Sequence, residues 1–229
     1  MNTDNGLIEG GSGGRIAGPK KWAGGYDKKP EERAEMMPDK SFFNLLQDEG
    51  VIPQVATLND RTFTLIGTCS AIGQYEEVIA RNLNDQLSGN SRKRNKPLII
   101  ASDYAHEEIN NRIIPPKMSF PGSFPNVEFK FITASALKLP VRDKTADIVF
   151  ENLGAIFYAD PDKLESIITE YDRVLKEGGQ IVISKTSLDV LKETFGEEQI
   201  NKILQQWSRK EISSDIWNFI VLSRKPKIA

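Results

Sequence analysis

One cysteine, Cys69, and one histidine, His106, are all that 229 residues hold of the two commonest soft metal ligands. A lone cysteine closes no intrachain disulfide and builds no cysteine-based metal site, so no metal is expected. No charge dominates either: 30 Lys and Arg stand against 32 Asp and Glu, a formal net charge of −2. Without a basic field, binding to nucleic acid or to an anionic membrane surface is not expected. No apolar run approaches the length that crosses a bilayer, and the first residues lack the charged-then-apolar pattern of a signal peptide. These absences predict a cytoplasmic protein whose partner is a small molecule, and they leave the oligomeric state open. What is present is ordinary for a folded chain: 39% apolar and 27% charged residues, enough for one sizeable core.

Composition divides the chain into three parts. Residues 1–20 read as a flexible Gly-rich tail, since eight of the seventeen glycines fall within the first 25 positions. Residues 21–60 form an N-terminal helical or lid segment. In it Trp22 and Tyr26 either pack on the domain surface or fold over a ligand, and two short helices follow, over Pro30–Met37 and Asp39–Glu49. Residues 61–226 carry the main domain.

The domain is organised around Thr62–Leu87. A short apolar run (Thr62–Ile66) breaks into a small-residue turn (Gly67–Gly73) and continues with Tyr75, Ile79, Leu83 and Leu87 at helical spacing. Strand, tight turn, helix is the predicted order. The unpaired N–H groups at such a helix start suit an anionic or polar ligand lying across the turn. The basic run Arg92–Lys96 reads as a solvated connector. Leu98–Ala101 is a second strand with Asp103 at its carboxyl end, where a carboxylate can accept both hydroxyls of a ribose or simply cap the next helix, His106–Ile114. Residues 115–126, rich in proline, form a loop. Val127–Thr133 and Ala146–Glu151 are further strands. Asp160 and Pro161 open a helix that Gly178 and Gly179 end, Gln180–Ser184 is a fifth strand, Ser187–Trp207 a long helix, and Glu211–Ser223 one or two closing strands. This alternation specifies a mostly parallel sheet covered on both faces.

Residues 127–184 resemble the class I S-adenosylmethionine-dependent methyltransferases. The resemblance rests on the step Leu139-Pro140, on Asp147 at the start of the fourth strand and above all on RVLKEGG at 173–179 before a buried strand. It implies an α/β, Rossmann-like, doubly wound sheet of seven strands in the order 3-2-1-4-5-7-6, with helices on both faces and the seventh strand antiparallel. It also implies S-adenosylmethionine as cofactor. Gly67, Cys69, Ala71 and Gly73 then correspond to the cofactor turn, Asp103 with Tyr104 beside it to the ribose acid, Ser135 and Ala136 to the pair beside adenine, and Glu151 to the segment facing the transferred methyl. Where the family has an acid followed by glycines at alternate positions, this chain has Gly67, Cys69 and Ala71 and keeps only Gly73; where the family often has an aspartate near adenine, it has Ser135.

Methyl transfer from a sulfonium mainly requires alignment and exclusion of water. A general base is needed only if the acceptor must lose a proton, and the candidates are Glu151, Tyr158 and His106. The expected activity is methyl transfer to a small-molecule acceptor. The altered turn supports an alternative, a protein that keeps the fold without catalysis and serves as a binding partner or regulator. An NAD-dependent reductase ranks below both, because none of the five tyrosines has a lysine four residues on. A valine at Gly73 is expected to block the ligand and leave the fold largely intact.

Overall fold

The computed structural model describes residues 38–58, 62–70, 73–88, 95–103 and 124–226. The expected tail, Trp22 and Tyr26, the helices at 30–37 and 106–114, and the candidate site residues Ala71 and Tyr104 lie outside these. Helix α1 (Lys40–Asp48) is capped by Asp39, which accepts from the Ser41 backbone N–H at 2.8 Å, and its buried stripe is Phe42, Phe43 and Leu46. Strand β1 (Thr64–Thr68) is followed by α2 (Gln74–Leu87), β2 (Leu98–Asp103), β3 (Glu128–Thr133) and β4 (Ala146–Glu151). Then come α3 (Pro161–Val174), β5 (Leu175–Ser184), α4 (Lys185–Phe195), α5 (Glu197–Ile203), β6 (Trp207–Ser213) and β7 (Asn218–Arg224).

The sheet order is β3-β2-β1-β4-β5-β7-β6, as expected. β1 to β5 run parallel, and β7 is antiparallel to both of its neighbours. Strands alternate their side chains between two cores. Leu65, Ile148 and Phe150 join the core beneath α1 and α2. Ile66, Val149 and Ile181 join the one beneath α3, α4 and α5. The first is aromatic: Phe42 meets Tyr75, Phe150, Trp217 and Phe219 with ring centroids 5.1–5.7 Å apart.

Two boundaries differ from expectation. The helix that opens at Asp160 ends at Val174, before the glycines, because Leu175 is already extended (φ −72, ψ 136) and begins β5. Gly178 and Gly179 sit inside β5, where the register with β4 shifts between the pairs Ala146–Leu175 and Ile148–Gln180. Gly178 has φ 76, and a Cβ at Gly179 would lie 3.0 Å from the Lys176 carbonyl, so the irregularity requires both glycines. The long helix expected over 187–207 is two helices, broken at Gly196, whose φ of 88 no helix accommodates. Trp207 opens β6.

Candidate active site

Parallel strands ending side by side, with connections leaving in opposite directions, open a crevice at their carboxyl ends. Here that point lies between β1 and β4. Thr68, the last residue of β1, is in register with Ser102 of β2 on one side and Glu151 of β4 on the other. The turn after β1 is stitched to β2: the Ser70 N–H donates to the Ser102 carbonyl at 2.9 Å, and the Ser102 hydroxyl donates to the Gly67 carbonyl at 2.8 Å. On the β4 side the turns after the two strands touch. A Cβ at Gly154 would come within 2.6 Å of the Cys69 Cβ, so glycine is what lets them close, and Cys69 itself takes a left-handed φ of 52.

Gly73 caps α2 with φ 72, and a Cβ there would meet Ala101 and Phe131, both at 3.2 Å. This corrects the expectation for valine at that position: the added side chain strains the backbone and pushes into β2 and β3, so it cannot act on a ligand alone. Gly67 is covered from the other direction. The Glu76 side chain folds back from the first turn of α2 against it, and a Cβ at position 67 would lie within 2.6 Å of Glu76 Cγ and nearer still to the carboxyl. Glu76 is buried, and its Oε1 accepts from the Ser70 hydroxyl at 2.7 Å. Glu76 is not among the apolar positions of the helical stripe, Tyr75, Ile79, Leu83 and Leu87, so the sequence does not mark it.

Glu151 belongs to a different network on the opposite face. It is completely buried; its Oε2 accepts from the Tyr171 hydroxyl at 2.7 Å and its Oε1 from the Ile156 N–H at 2.6 Å. The Tyr171 oxygen also lies 2.7 Å from the Thr68 hydroxyl, which joins β1 to the same chain of bonds. Burial is the main influence on Glu151 and lifts its pKa to about 7, with the bond from Tyr171 opposing. Tyr158 is buried in the short 3-10 turn Ile156–Tyr158 after β4; burial, then Cys69, raises its phenol well above the usual range. Tyr75, beside Glu76, is pushed up to about 12, first by burial and then by that carboxylate.

At the third corner, Ser135 and Ala136 lie in a tight turn after β3. The Ser135 hydroxyl accepts from the Leu137 N–H at 3.2 Å, and Ala136 is buried. α3 fixes this turn: Glu170 accepts from the Leu139 N–H at 2.7 Å, and Arg173 donates to the Leu139 carbonyl at 3.1 Å. The structure therefore brings Gly67, Cys69, Gly73, the backbone of Asp103 and Glu151 to one end of the sheet, with Ser135 and Ala136 just past the end of β3. Among the described residues no group of acids, histidine and cysteine could hold a metal ion.

Comparison with known proteins agrees with this architecture. Residues 98–183 match the family described as a methyltransferase domain. Among solved structures, a candidate S-adenosyl-L-methionine-dependent methyltransferase from Methanococcus maripaludis is similar with a TM-score of 0.54 at 14% identity, covering 90% of this chain and 94% of its own. A SAM-dependent methyltransferase from Aquifex aeolicus gives a TM-score of 0.47 at 17% identity over 85% of this chain and 97% of its own. Search of the curated proteins returned no match. The matched domain over residues 98–183 and the strand order agree with the fold that the resemblance to class I S-adenosylmethionine-dependent methyltransferases implies.

Proposed function

We propose that the protein transfers a methyl group from S-adenosylmethionine to a small-molecule acceptor. The observation that carries this reading is the crevice between β1 and β4, where the turns at Cys69 and Gly154 are in contact and the backbone of 67–70 is held to β2. The residues present suit the cofactor. In this reading the turn at Cys69 and Gly73 takes the methionine part and Ser135 and Ala136 take the adenine, whose edge can use the Ala136 backbone; the resemblance assigns Ala71 to the same turn and Asp103 and Tyr104 to the ribose. When bound, the cofactor supplies an activated methyl on a positively charged sulfur; the chain aligns the acceptor and excludes water.

Glu151 is a support in this scheme. Both its oxygens accept hydrogen bonds from its own chain, so it fixes the ends of β1 and β4 and takes no proton from an acceptor. Tyr158, with its phenol held protonated by burial, likewise shapes the crevice.

Calorimetric titration with S-adenosylmethionine and with its demethylated product, S-adenosylhomocysteine, tests the proposal. Saturable binding is expected, and Asp103→Ala should weaken it by about 1–3 kcal/mol through loss of a charge-assisted hydrogen bond. Unchanged affinity in that variant would remove the ribose assignment. Absence of binding in the unaltered protein would favour a fold kept for a partner.

A further inference from the structure

The sheet ends at β6. Among the described residues this strand is paired on one side only, by β7 along its whole length, and its outer side is an open edge. Unpaired backbone groups along an edge are a template for another strand, and charged side chains usually guard them. The three exposed charges in the middle of β6, Arg209, Lys210 and Glu211, are ordered in a more specific way. Arg209 donates to Asn201 of α5 at 2.6 Å and Glu211 pairs with Lys185 of α4 at 3.1 Å, so both stand on that face of the sheet. Lys210 stands on the other, 2.8 Å from Glu49 at the end of α1. When a strand pairs antiparallel with its own copy, opposed side chains share a face, so the two-fold axis passes through a residue. With the axis at Lys210, Arg209 of each copy is opposite Glu211 of the other, Ser208 is opposite Ile212, and Trp207 is opposite Ser213. Moving the axis to Arg209 or to Glu211 sets that residue against itself and leaves no pair of opposite charges. Lys210 meets its own copy on the axis, where each ammonium already has its Glu49 carboxylate.

We infer that the chain associates with a second copy of itself through β6, with Lys210 on the two-fold axis and the two seven-stranded sheets joined edge to edge. Two symmetry-related pairs of opposite charge favour this register over its neighbours, in which like charges are opposed. The crevice stays open in the pair, since β5 and β7 stand between β4 and the joined edge. The association is independent of what the crevice binds.

Sedimentation velocity on the full chain tests this. The unaltered protein should run as a dimer in the micromolar range, and added salt should loosen it, a readout that needs no variant. Arg209→Glu sets acids against acids and Glu211→Arg sets arginines against arginines, so either should weaken association about tenfold or more. Mixing the two variants in equal amounts should restore the dimer, because in the mixed pair each residue 209 faces an opposite charge at 211. Both positions are exposed, and thermal melts check that each variant is folded. A monomer at every concentration overturns the inference, whether solvent or residues 1–37 occupy the edge. A dimer indifferent to salt and to both reversals, or reversals that mixing does not rescue, places the contact on another surface and overturns it equally.

Discussion

Two carboxylates are buried at the end of the sheet where β1 and β4 finish, Glu151 on β4 and Glu76 on α2, and they lie on opposite faces. Glu151 faces α3 and accepts from a phenol and a backbone amide of its own chain. Glu76 faces the core of α1 and α2, pressed on a glycine and held by the hydroxyl of a turn residue. The difference lies in what each oxygen addresses. One carboxylate ties β4 to α3 and is costly to ionise; the other ties α2 to the turn after β1. Burial alone does not make an acid functional, and each of these two is held by partners from its own chain.

The comparison can be broken by pH. Glu151 has a pKa of about 7 in the folded chain against an ordinary 4.5, so below pH 4.5 it is protonated in both states and contributes nothing. Between 4.5 and 7 the unfolded chain gives up the proton that the folded chain keeps, and stability falls as pH rises, by roughly 3 kcal/mol in all before levelling above 7. Urea unfolding of Glu151→Gln should lack this fall. A difference from the unaltered protein that stays flat across pH 4.5–8 would show that the buried acid ionises normally.

Tyr171→Phe comes next. It leaves a buried carboxylate oxygen and the Thr68 hydroxyl without the phenol between them, at a cost of about 1–3 kcal/mol in denaturant unfolding. Because the bond from Tyr171 favours the charged acid, the same variant should move the Glu151 transition to higher pH. The smallest effect is expected at Ser70→Ala, about 1 kcal/mol in stability, since that hydroxyl sits at the rim of the turn. Set beside Tyr171→Phe in the same urea unfolding, it measures how differently the two acids are tied into the fold.

The residues that made the family legible turn out to be structural. Asp147 accepts from the Thr64 N–H at 2.8 Å and pairs with Lys176 at 2.5 Å, and Lys176 also donates to the Thr62 carbonyl, so the motif fastens the start of β1 to the irregular stretch of β5. Arg173 clamps the turn at Leu139. The apolar run Ala146–Glu151 marked β4 to the residue, and Asp160 with Pro161 fixed the start of α3. Where glycines were read as helix ends, at 178–179, the conformation they enable was a bulge within a strand, and composition does not distinguish the two. The site was less visible for a physical reason. Gly67 looked like a missing acid, and the carboxyl that packs against it stands nine positions on, joined to it only by the folding of a strand against a helix. No local pattern reports a contact across a turn.

The place of β7 has a consequence for how the chain is made. β7 is the last strand in sequence, yet it lies inside the sheet, between β5 and β6. While a ribosome is still adding residues 185–217, β5 stands as a bare edge whose Ile181, Val182 and Ile183 have no neighbour on that side. Every nascent chain must therefore pass through a period in which the apolar end of β5 is open to pairing with another copy, and that period ends only when Phe219–Ser223 arrives to zip alongside it.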